Sequence, residues 1–538
     1  MITTKWTATV LATTALTAFA FAPAAAQETP VADVAVEAPM SAEEAAAQLE
    51  FLKAQVQAMQ EQLEILKKTT ADNAPTFAAA PRFGNTIQDY RTPTDSSKRL
   101  PGFQFKVRGR LHLDAGYTEN PDDRVATKNL GFQYRVRRAR LGVQGTFPGG
   151  FSYVSEVDFN NNAVAFTDLF LSWKSVPESK FTLTAGQHYP FQGLEQITSS
   201  NFVTTLERAQ FTEAFGYSRR LGLSANYTNG DFRVDLGAFT DAINAGLDND
   251  DWQAAVRATY SPETFGGRLH LGANYQYRKF QTNTQNFQYR VRPGTTLTDI
   301  RFVDSGTIAA KGDQIFGVEA AFIKGAFHFA AEAQYADVNS INGSKVFTNG
   351  DTAQVPLGTT LFPNDDPGFF GAYAEVGFFL TRGSDGTPDT RGYSAGRFDR
   401  VRPKNGFDKG GIGAIQLNGR VDYLDLRDRT NGGVSRTQST VNTNNLLTNV
   451  VTTTTPTTTN LNPSQFVAGE LNGGRSLLYS VNVIWTPIDY VRFVLQYSRQ
   501  DIDGGPRSVA IQPFDTGRNA RDREYSVDFI GLRSQFDF

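Results

Sequence analysis

The chain has 538 residues, no cysteine and a formal net charge of −3, which excludes disulfides and thiolate metal sites and gives no indication of a nucleic-acid partner. Its 42 Phe, 19 Tyr and 48 Gly against 3 Met favour many strands and tight turns over helices. A mean hydropathy of −0.36 excludes a bundle of apolar membrane helices, but a barrel is allowed because its strands are only half apolar.

Residues 1–26 have the pattern of a secretory signal peptide. Lys5 supplies the positive charge, residues 10–22 form a short apolar run, and three alanines at 24–26 form a small-residue cleavage site. An N-terminal membrane anchor is the alternative, but the apolar run is short for a membrane span. We therefore predict export and cleavage before Gln27, followed by a linker over residues 27–40.

Residues 41–70 are predicted to form a short periplasmic coiled coil. Apolar residues follow alternating spacings of three and four, as in an a/d seam: Leu49, Leu52, Val56, Met59, Leu63 and Leu66. A single amphipathic helix lying on its own barrel is the alternative. Residues 71–102 contain three prolines and are predicted to be a second linker.

Residues 103–538 alternate apolar and polar side chains and predict an all-β fold, a 16-stranded antiparallel transmembrane β-barrel. Short turns alternate with long loops, and the chain ends in an aromatic residue, Phe538, like the signal read by the outer-membrane assembly machinery. An even count puts both barrel ends on the periplasmic side. The predicted strands are 103–117, 131–147, 151–160, 164–174, 180–190, 219–229, 231–240, 251–261, 267–280, 313–324, 326–338, 369–382, 411–428, 474–486, 489–501 and 523–538.

A long polar insert interrupts the strand pattern within residues 181–223. Alternation stops for about thirty residues between two strands, and such long loops are usually functional. The insert can spread outside the barrel or fold into the lumen and narrow it. We predict that residues 191–218 determine what passes through.

Basic residues share one face of the first two strands, opposite an apolar face. Because charge facing lipid costs about 2–4 kcal/mol at mid-depth, this row is predicted to line the lumen as an anion track. Arg135 and Arg137 have the opposite phase, which predicts either the rim or a β-bulge. Alternatively, the row only braces the wall by pairing with Glu156, Asp158 and Asp168. The track residues are Lys106, Arg108, Arg110, Arg138 and Arg140.

A second basic segment covers residues 382–409, with seven basic and four acidic side chains. By strand parity it lies on the periplasmic side, where connections are usually short. It either enters the lumen from below or is a solvated loop. The predicted constriction combines its basic residues with those of the first insert: His188, Arg208, Arg219, Arg220, Arg397, Arg400, Arg402 and Lys404.

Several motifs resemble the phosphate-selective porin O/P family. They are RRARLG (137–142), GQHYPFQGLEQITSS (186–200), TLER (205–208) and GRFDRVRPKNGF (396–407). The resemblance implies a trimeric sixteen-stranded outer-membrane channel, often with an N-terminal coiled coil. It also implies inward-folded loops, a basic lining and a preference for anions such as phosphate. The family commonly has lysine where this chain has His188.

The sequence therefore predicts a homotrimeric porin in outer-membrane lipid that passes small anions, phosphate among them, by diffusion. We find no catalytic motif, cofactor motif or metal-ligand spacing of the four histidines, so no enzyme activity, cofactor or metal is predicted. Two alternatives remain: a general or organic-solute porin without marked anion selectivity, and a barrel that tethers the envelope.

Overall fold

The computed structural model describes residue 57 and residues 103–538 except 120–129, 161–163, 177–178, 246–250, 282–284, 342–359, 364, 436–468 and 505–523. The predicted signal peptide, both linkers and, apart from residue 57, the predicted coiled coil lie outside the described residues.

Sixteen long strands form one closed antiparallel barrel. Each strand pairs with the next along the chain, and β1 pairs with β16 from Arg110↔Asp537 to Thr118↔Phe529. The prediction of a 16-stranded barrel is confirmed. The strands are β1 Gln104–Thr118, β2 Gly131–Phe147, β3 Phe151–Asp158, β4 Ala165–Trp173, β5 Phe181–His188, β6 Arg220–Asn229, β7 Phe232–Phe239, β8 Trp252–Tyr260, β9 Gly267–Lys279, β10 Val303–Lys324, β11 Phe327–Ser340, β12 Gly368–Phe379, β13 Ala414–Ser435, β14 Gly469–Ile488, β15 Val491–Gly504 and β16 Glu524–Asp537.

The period-two pattern explains why these segments pair as a barrel. Successive side chains of a strand point to opposite sides of the sheet. On β15, Leu495 and Tyr497 are 46% and 49% exposed on the outer face, whereas Gln496 and Ser498 are each 1% exposed on the inner face. The apolar band therefore faces outward and the polar band faces the lumen, as a membrane barrel requires.

Each predicted strand overlaps one barrel strand. The largest difference between a predicted and an observed strand boundary is at the start of β10. It begins at Val303 rather than at residue 313. The additional residues pair with a short strand, Asn286–Val291, beyond the barrel wall. Their sequence, VDSGTIAAKG, lacks the alternation that a lipid-facing strand needs, which is why the pattern did not include them.

A β-bulge occurs in β2, as the phase of its arginines predicted. His112 of β1 pairs with Arg138, but Leu113 pairs with Val136, so Arg137 has no partner in the register. The additional residue shifts the phase of the strand. As a result, Arg135 and Arg137 turn to the inner face together with Arg138.

The lumen contains the core of the molecule, because two inserts fill it. The first insert, residues 189–219, carries helices α1 Leu194–Ile197 and α2 Gln210–Phe215. The second insert, residues 380–413, carries a separate hairpin. Smaller elements are the strands Glu263–Thr264, Thr360–Pro363, Gly392–Ser394 and Arg397–Asp399 and the 3-10 turns Ile243–Ala245 and Phe407–Lys409.

Candidate functional site

The first insert crosses the lumen and is held by polar side chains of the far wall. The backbone N–H groups of Leu194 and Glu195 donate to the two carboxylate oxygens of Glu332, each at 2.8 Å. The N–H of Gln210 donates to Asp422 Oδ2 at 2.8 Å. Buried irregular backbone needs such partners. Of the two placements considered for this insert, the structure has the one inside the lumen.

Carbonyl groups of the same insert are bound by wall residues of β15 and β16, close to where β16 pairs with β1 and closes the barrel. Arg533 donates to the Leu206 carbonyl at 2.6 Å, and Arg492 and Gln535 donate to the Asn201 carbonyl at 3.0 and 2.9 Å. The insert is therefore fixed along its length, and its free surface faces the remaining lumen on the side of β1–β7.

Two of the three carboxylates of the first insert, Glu195 and Glu207, anchor it to the barrel wall. Glu195 accepts from Arg420 at 2.6 Å, and Glu207 accepts from Arg137 at 2.7 and 2.8 Å. Burial would raise the pKa of Glu207, but Arg137 and Arg533 beside it hold that pKa well below its usual range. Both carboxylates thus face the wall, where their charge is matched by arginine.

The second insert enters the lumen from the opposite end. The Gly396 carbonyl at its hairpin turn accepts from Arg257 of β8 at 2.8 Å. Arg391 donates to the Phe202 carbonyl of the first insert, and Arg400 forms an ion pair with Asp537 of β16. The two inserts therefore meet inside the barrel.

A cavity of about 720 Å³ lies between the first insert, the hairpin of the second insert and the wall of β1–β7. We call it the basic cavity, because ten basic and four acidic side chains line it. The surplus is six positive charges. The basic residues are Lys106, Arg108, Arg110, Arg138, Arg140, Arg208, Arg219, Arg233, Arg397 and Arg400; the acidic residues are Asp168, Asp235, Asp399 and Asp537.

Three track residues converge on a fully buried carboxylate. Arg108 and Arg110 lie 3.2 Å from Glu156 Oε2, and Arg140 lies 3.3 Å from Glu156 Oε1. Arg140 also binds Asp158 at 2.7 Å. The wall-bracing alternative thus has a definite geometry for these residues, although three arginines share two carboxylates.

Three other basic side chains of the cavity have no such partner. Among the described residues, Arg138, Arg208 and Arg397 form no ion pair with a carboxylate within 4 Å. Arg208 instead donates to the carbonyls of Glu195 and Thr198 at 3.0 and 2.7 Å. Unmatched charges of this kind create the field that an ion in the cavity experiences.

His188 and Arg219 lie at the two ends of the first insert and both line the cavity. His188 Nε2 is 2.8 Å from Ser224 Oγ, and Arg219 binds Asp168 at 2.6 Å and Tyr189 Oη at 3.0 Å. Burial would raise the pKa of the Tyr189 phenol, but Arg219 and other nearby arginines lower it to about 7.

Three residues predicted at the constriction lie outside the lining of the basic cavity. Arg220, the first residue of β6, pairs with Asp251 at 3.1 Å. Arg402 is 69% exposed beside Asp489, at 3.3 Å, and Lys404 is also exposed. The second insert turns back toward solvent after Arg400, which places Arg402 and Lys404 outside the cavity lining.

The structure also brings together residues that sequence reasoning missed. Arg233 and Asp235 line the cavity from β7 and bind each other at 2.6 Å. These two residues are two positions apart on β7 and so share its polar face, which could have indicated from the sequence that both face the lumen. Arg420 and Arg533, in contrast, show no local signal, because their partners are defined only by how the first insert folds.

A Ser-His-acid group, which could not be assembled from the sequence, is present in the wall. Ser261 Oγ lies 3.2 Å from His270 Nδ1, and His270 Nε2 lies 3.2 Å from Glu319 Oε1. The Tyr393 hydroxyl of the second insert lies 2.5 Å from Ser261 and 2.6 Å from His270. Through these two contacts the group holds the hairpin of the second insert to the wall.

Two other features are absent from the described residues. No helix there is long and apolar enough to cross a membrane. No group of three or more histidine or acidic side chains in that part of the chain is arranged to hold a metal ion.

The sequence matches a known protein family over most of its length. The model of the family described as phosphate-selective porin O and P matches residues 105–509. A protein of Caulobacter vibrioides, described as uncharacterized, is 31% identical over 516 residues, covering 90% of this chain and 88% of the relative.

The chain also matches several solved structures at low sequence identity. OmpT of Vibrio cholerae is 11% identical with a TM-score of 0.43, covering 82% of this chain and 99% of that one. The outer-membrane channel DcaP of Acinetobacter baumannii is 14% identical with a TM-score of 0.41, at 82% and 99% coverage. An anion-selective porin from Comamonas acidovorans is 9% identical with a TM-score of 0.41, at 81% and 100% coverage.

Proposed function

Because this chain belongs to the phosphate-selective porin O and P family, a family of outer-membrane channels rather than enzymes, we propose that it passes small anions, phosphate among them, by passive diffusion. The observation that carries the anion preference is the surplus of six positive charges around the basic cavity. A cavity walled by one sign of charge raises the local concentration of the opposite ion.

The proposed path uses several moderate sites rather than one tight site. Arg140 and Arg219 also line a smaller cavity of about 270 Å³ toward the loop end, so they connect the entrance with the basic cavity. Arg397 lies at the opposite limit of the basic cavity. An anion would move between guanidinium groups whose hydrogen-bond donors replace part of its hydration shell.

The sharpest test compares two arginines of the second insert. Arg397 lines the basic cavity, whereas Arg402 is exposed outside it, so Arg397→Ala and Arg402→Ala remove the same charge at different places. We expect Arg397→Ala to lower the anion/cation permeability ratio, measured as the zero-current potential under a KCl gradient in planar bilayers, and Arg402→Ala to leave it unchanged. Equal ratios in all three proteins would refute the proposal.

Phosphate is tested separately by titration at fixed chloride. Concentration-dependent block of chloride current is expected, with weaker block in Arg397→Ala. Anion selectivity without phosphate block would keep the channel assignment and reject phosphate as a preferred solute.

A general or organic-solute porin is the second candidate, and the cluster around Glu156 favours it. Three track arginines lie within 3.3 Å of this carboxylate, which reduces the charge that a passing ion meets. Weak or cation selectivity of the wild-type channel would put this function first.

The exported form, the homotrimer and the periplasmic coiled coil complete the proposal. The prediction for residues 41–70 is tested by deleting them. A channel keeps its conductance after the deletion, whereas an envelope tether loses envelope integrity.

A further inference from the structure

A small cavity of about 20 Å³ lies where the two inserts meet the turn end of β14–β16. We call it the junction cavity. Arg391 and Arg400 come from the second insert, Asn201 and Phe202 from the first, and Arg492 from the barrel wall. Three separate segments of the chain therefore converge on a space with room for about one water-sized particle.

Two of its arginines are buried without enough acceptors. Arg391 is 3% exposed and Arg492 is 8% exposed. Arg391 donates through Nη2 to the Phe202 carbonyl, and Arg492 donates through Nη1 to the Asn201 carbonyl. Arg391 Nε and Nη1 and Arg492 Nη2 have no hydrogen-bond acceptor among the described residues. A buried guanidinium without a counter-charge is costly.

The carboxylates in reach already bind other cations. Asp537 pairs with Arg400 and Asp489 pairs with Arg402. Three arginines and two aspartates line the junction cavity, a surplus of one positive charge.

Glu375 attracts both Arg391 and Arg492 electrostatically. Among the described residues it forms its ion pairs with Arg420 and His328, and neither Arg391 nor Arg492 lies within 4 Å of its carboxylate oxygens.

The ligand that fits is a single small anion. Burial lowers the pKa of Arg391 to about 10, so its side chain is still charged at neutral pH. The five heavy atoms of phosphate exceed the space, whereas a halide ion is close to a water molecule in size. One negative charge balances the surplus.

We propose that the junction cavity is a halide site, occupied by chloride, which fixes the second insert to the first insert and to β15. The ion would accept from Arg391 Nη1 and Arg492 Nη2. Because these donors belong to different segments, binding links them, and its loss leaves the insert held by fewer contacts. This site adjoins the basic cavity, with which it shares Arg400 and Asp537, but the two arginines that would bind the ion do not line that cavity. It is tested independently of the proposed conduction path.

Limited proteolysis of the purified full-length protein tests the site. Trypsin reaches Arg397 and Arg400 of the second insert, which lie inside the barrel, when that insert detaches. With chloride at about ten times its dissociation constant, binding reduces the detached population about tenfold. We therefore expect cleavage there to be about tenfold slower in sodium chloride than in sodium gluconate of equal ionic strength, because gluconate is too large for the cavity.

Two variants and a control make the result specific. Arg492→Gln and Arg391→Gln should cleave at the same rate in both salts, whereas Arg475→Gln, which removes an exposed arginine elsewhere on the wall, should keep the tenfold ratio. A wild-type ratio near one, or a ratio retained in both variants, would overturn the proposal.

Crystals grown in bromide give a second measurement that does not depend on folding of the variants. An anomalous peak between Arg391 and Arg492 is expected. Peaks confined to the basic cavity would reject the halide site.

Discussion

The two sides of the first insert use the same residue types for different purposes. On the anchored side, Glu332 accepts two backbone N–H groups, and Arg420 lies between Glu195 and Glu375 at 2.6 and 2.8 Å. On the open side, Arg138 and Arg397 face the basic cavity with no carboxylate partner among the described residues. Matched charges thus hold the insert against the wall, and under the proposed function the unmatched charges set the ion preference.

Paired and unpaired charges in the lumen are therefore expected to have different effects when they are removed. A buried charge whose partner is removed is strongly destabilising, so paired residues on the anchored side act mainly on stability. Residues on the open side act through the field in water, where one charge has a modest effect. The following variants separate these two effects.

The largest effect is expected from Arg420→Gln, which breaks the anchored side. Glu195 and Glu375 would be left buried without their cation, at a cost of about 3–5 kcal/mol. We expect the first insert to leave the wall, so that single-channel conductance rises and the folded barrel denatures at a lower temperature on heated gels.

The matched control is Arg475→Gln, which removes an arginine from an exposed pair with Asp503 at 3.1 Å. Such pairs contribute about 0–1 kcal/mol, so conductance and denaturation should stay at wild-type values. If Arg420→Gln behaves like this control, the proposed anchoring is wrong.

Glu156→Gln should increase the anion preference by changing the open side of the first insert. It removes the carboxylate that Arg108, Arg110 and Arg140 share and adds one positive charge to the basic cavity. A unit charge about 7 Å away in water changes an ion's energy by about 0.6 kcal/mol, or roughly threefold in permeability ratio. Bilayer zero-current potentials should report this increase. Glu263→Gln is the control, because Glu263 is 65% exposed in a pair with Arg268 at a turn, and this variant should leave the permeability ratio unchanged.

His188→Lys adds a cation where the family commonly has one. His188 lines the cavity, so a lysine there should strengthen phosphate block about two- to threefold, because one added charge attracts the ion as strongly here as in Glu156→Gln. His188→Gln, which keeps a polar side chain without charge, is the control. Equal phosphate block in the lysine and glutamine variants would show that this position does not face the path.

The smallest effect concerns pH. Because arginines lower the pKa of Tyr189 to about 7, its negative form increases as pH rises through neutrality. This added charge should reduce the anion/cation permeability ratio by less than about twofold between pH 6 and pH 8. In Tyr189→Phe the permeability ratio should no longer change over this pH range. If the ratio still falls with pH in this variant, a different titratable group causes the pH dependence.

The barrel was predictable from the sequence because its signals are local. Alternation, short turns and the phase change at Arg137 all lie within single strands, and the structure has a strand at each predicted place. The start of β10 at Val303 was missed because pairing beyond the wall does not need alternation.

The charge pattern of the lumen was only partly predictable. The basic row on β1 and β2 was predictable, because its residues are basic and share one face of each strand. Which arginines are matched depends on contacts across the barrel, such as Arg110 with Ser200 of the first insert at 3.1 Å. Strand parity gives a face but not the partner that turns the side chain, so it did not indicate that Arg220 pairs with Asp251.

The seam between β1 and β16 has a consequence for biogenesis. Arg533 binds Asp114 across it, 419 residues away in sequence, and Gly109 and Phe538 exchange backbone hydrogen bonds at 3.2 and 3.1 Å. Pairing between such distant segments forms slowly. The edges of β1 and β16 stay open until both strands meet, and open edges invite aggregation. A newly made chain therefore keeps two unpaired strand edges until the last strand reaches the first.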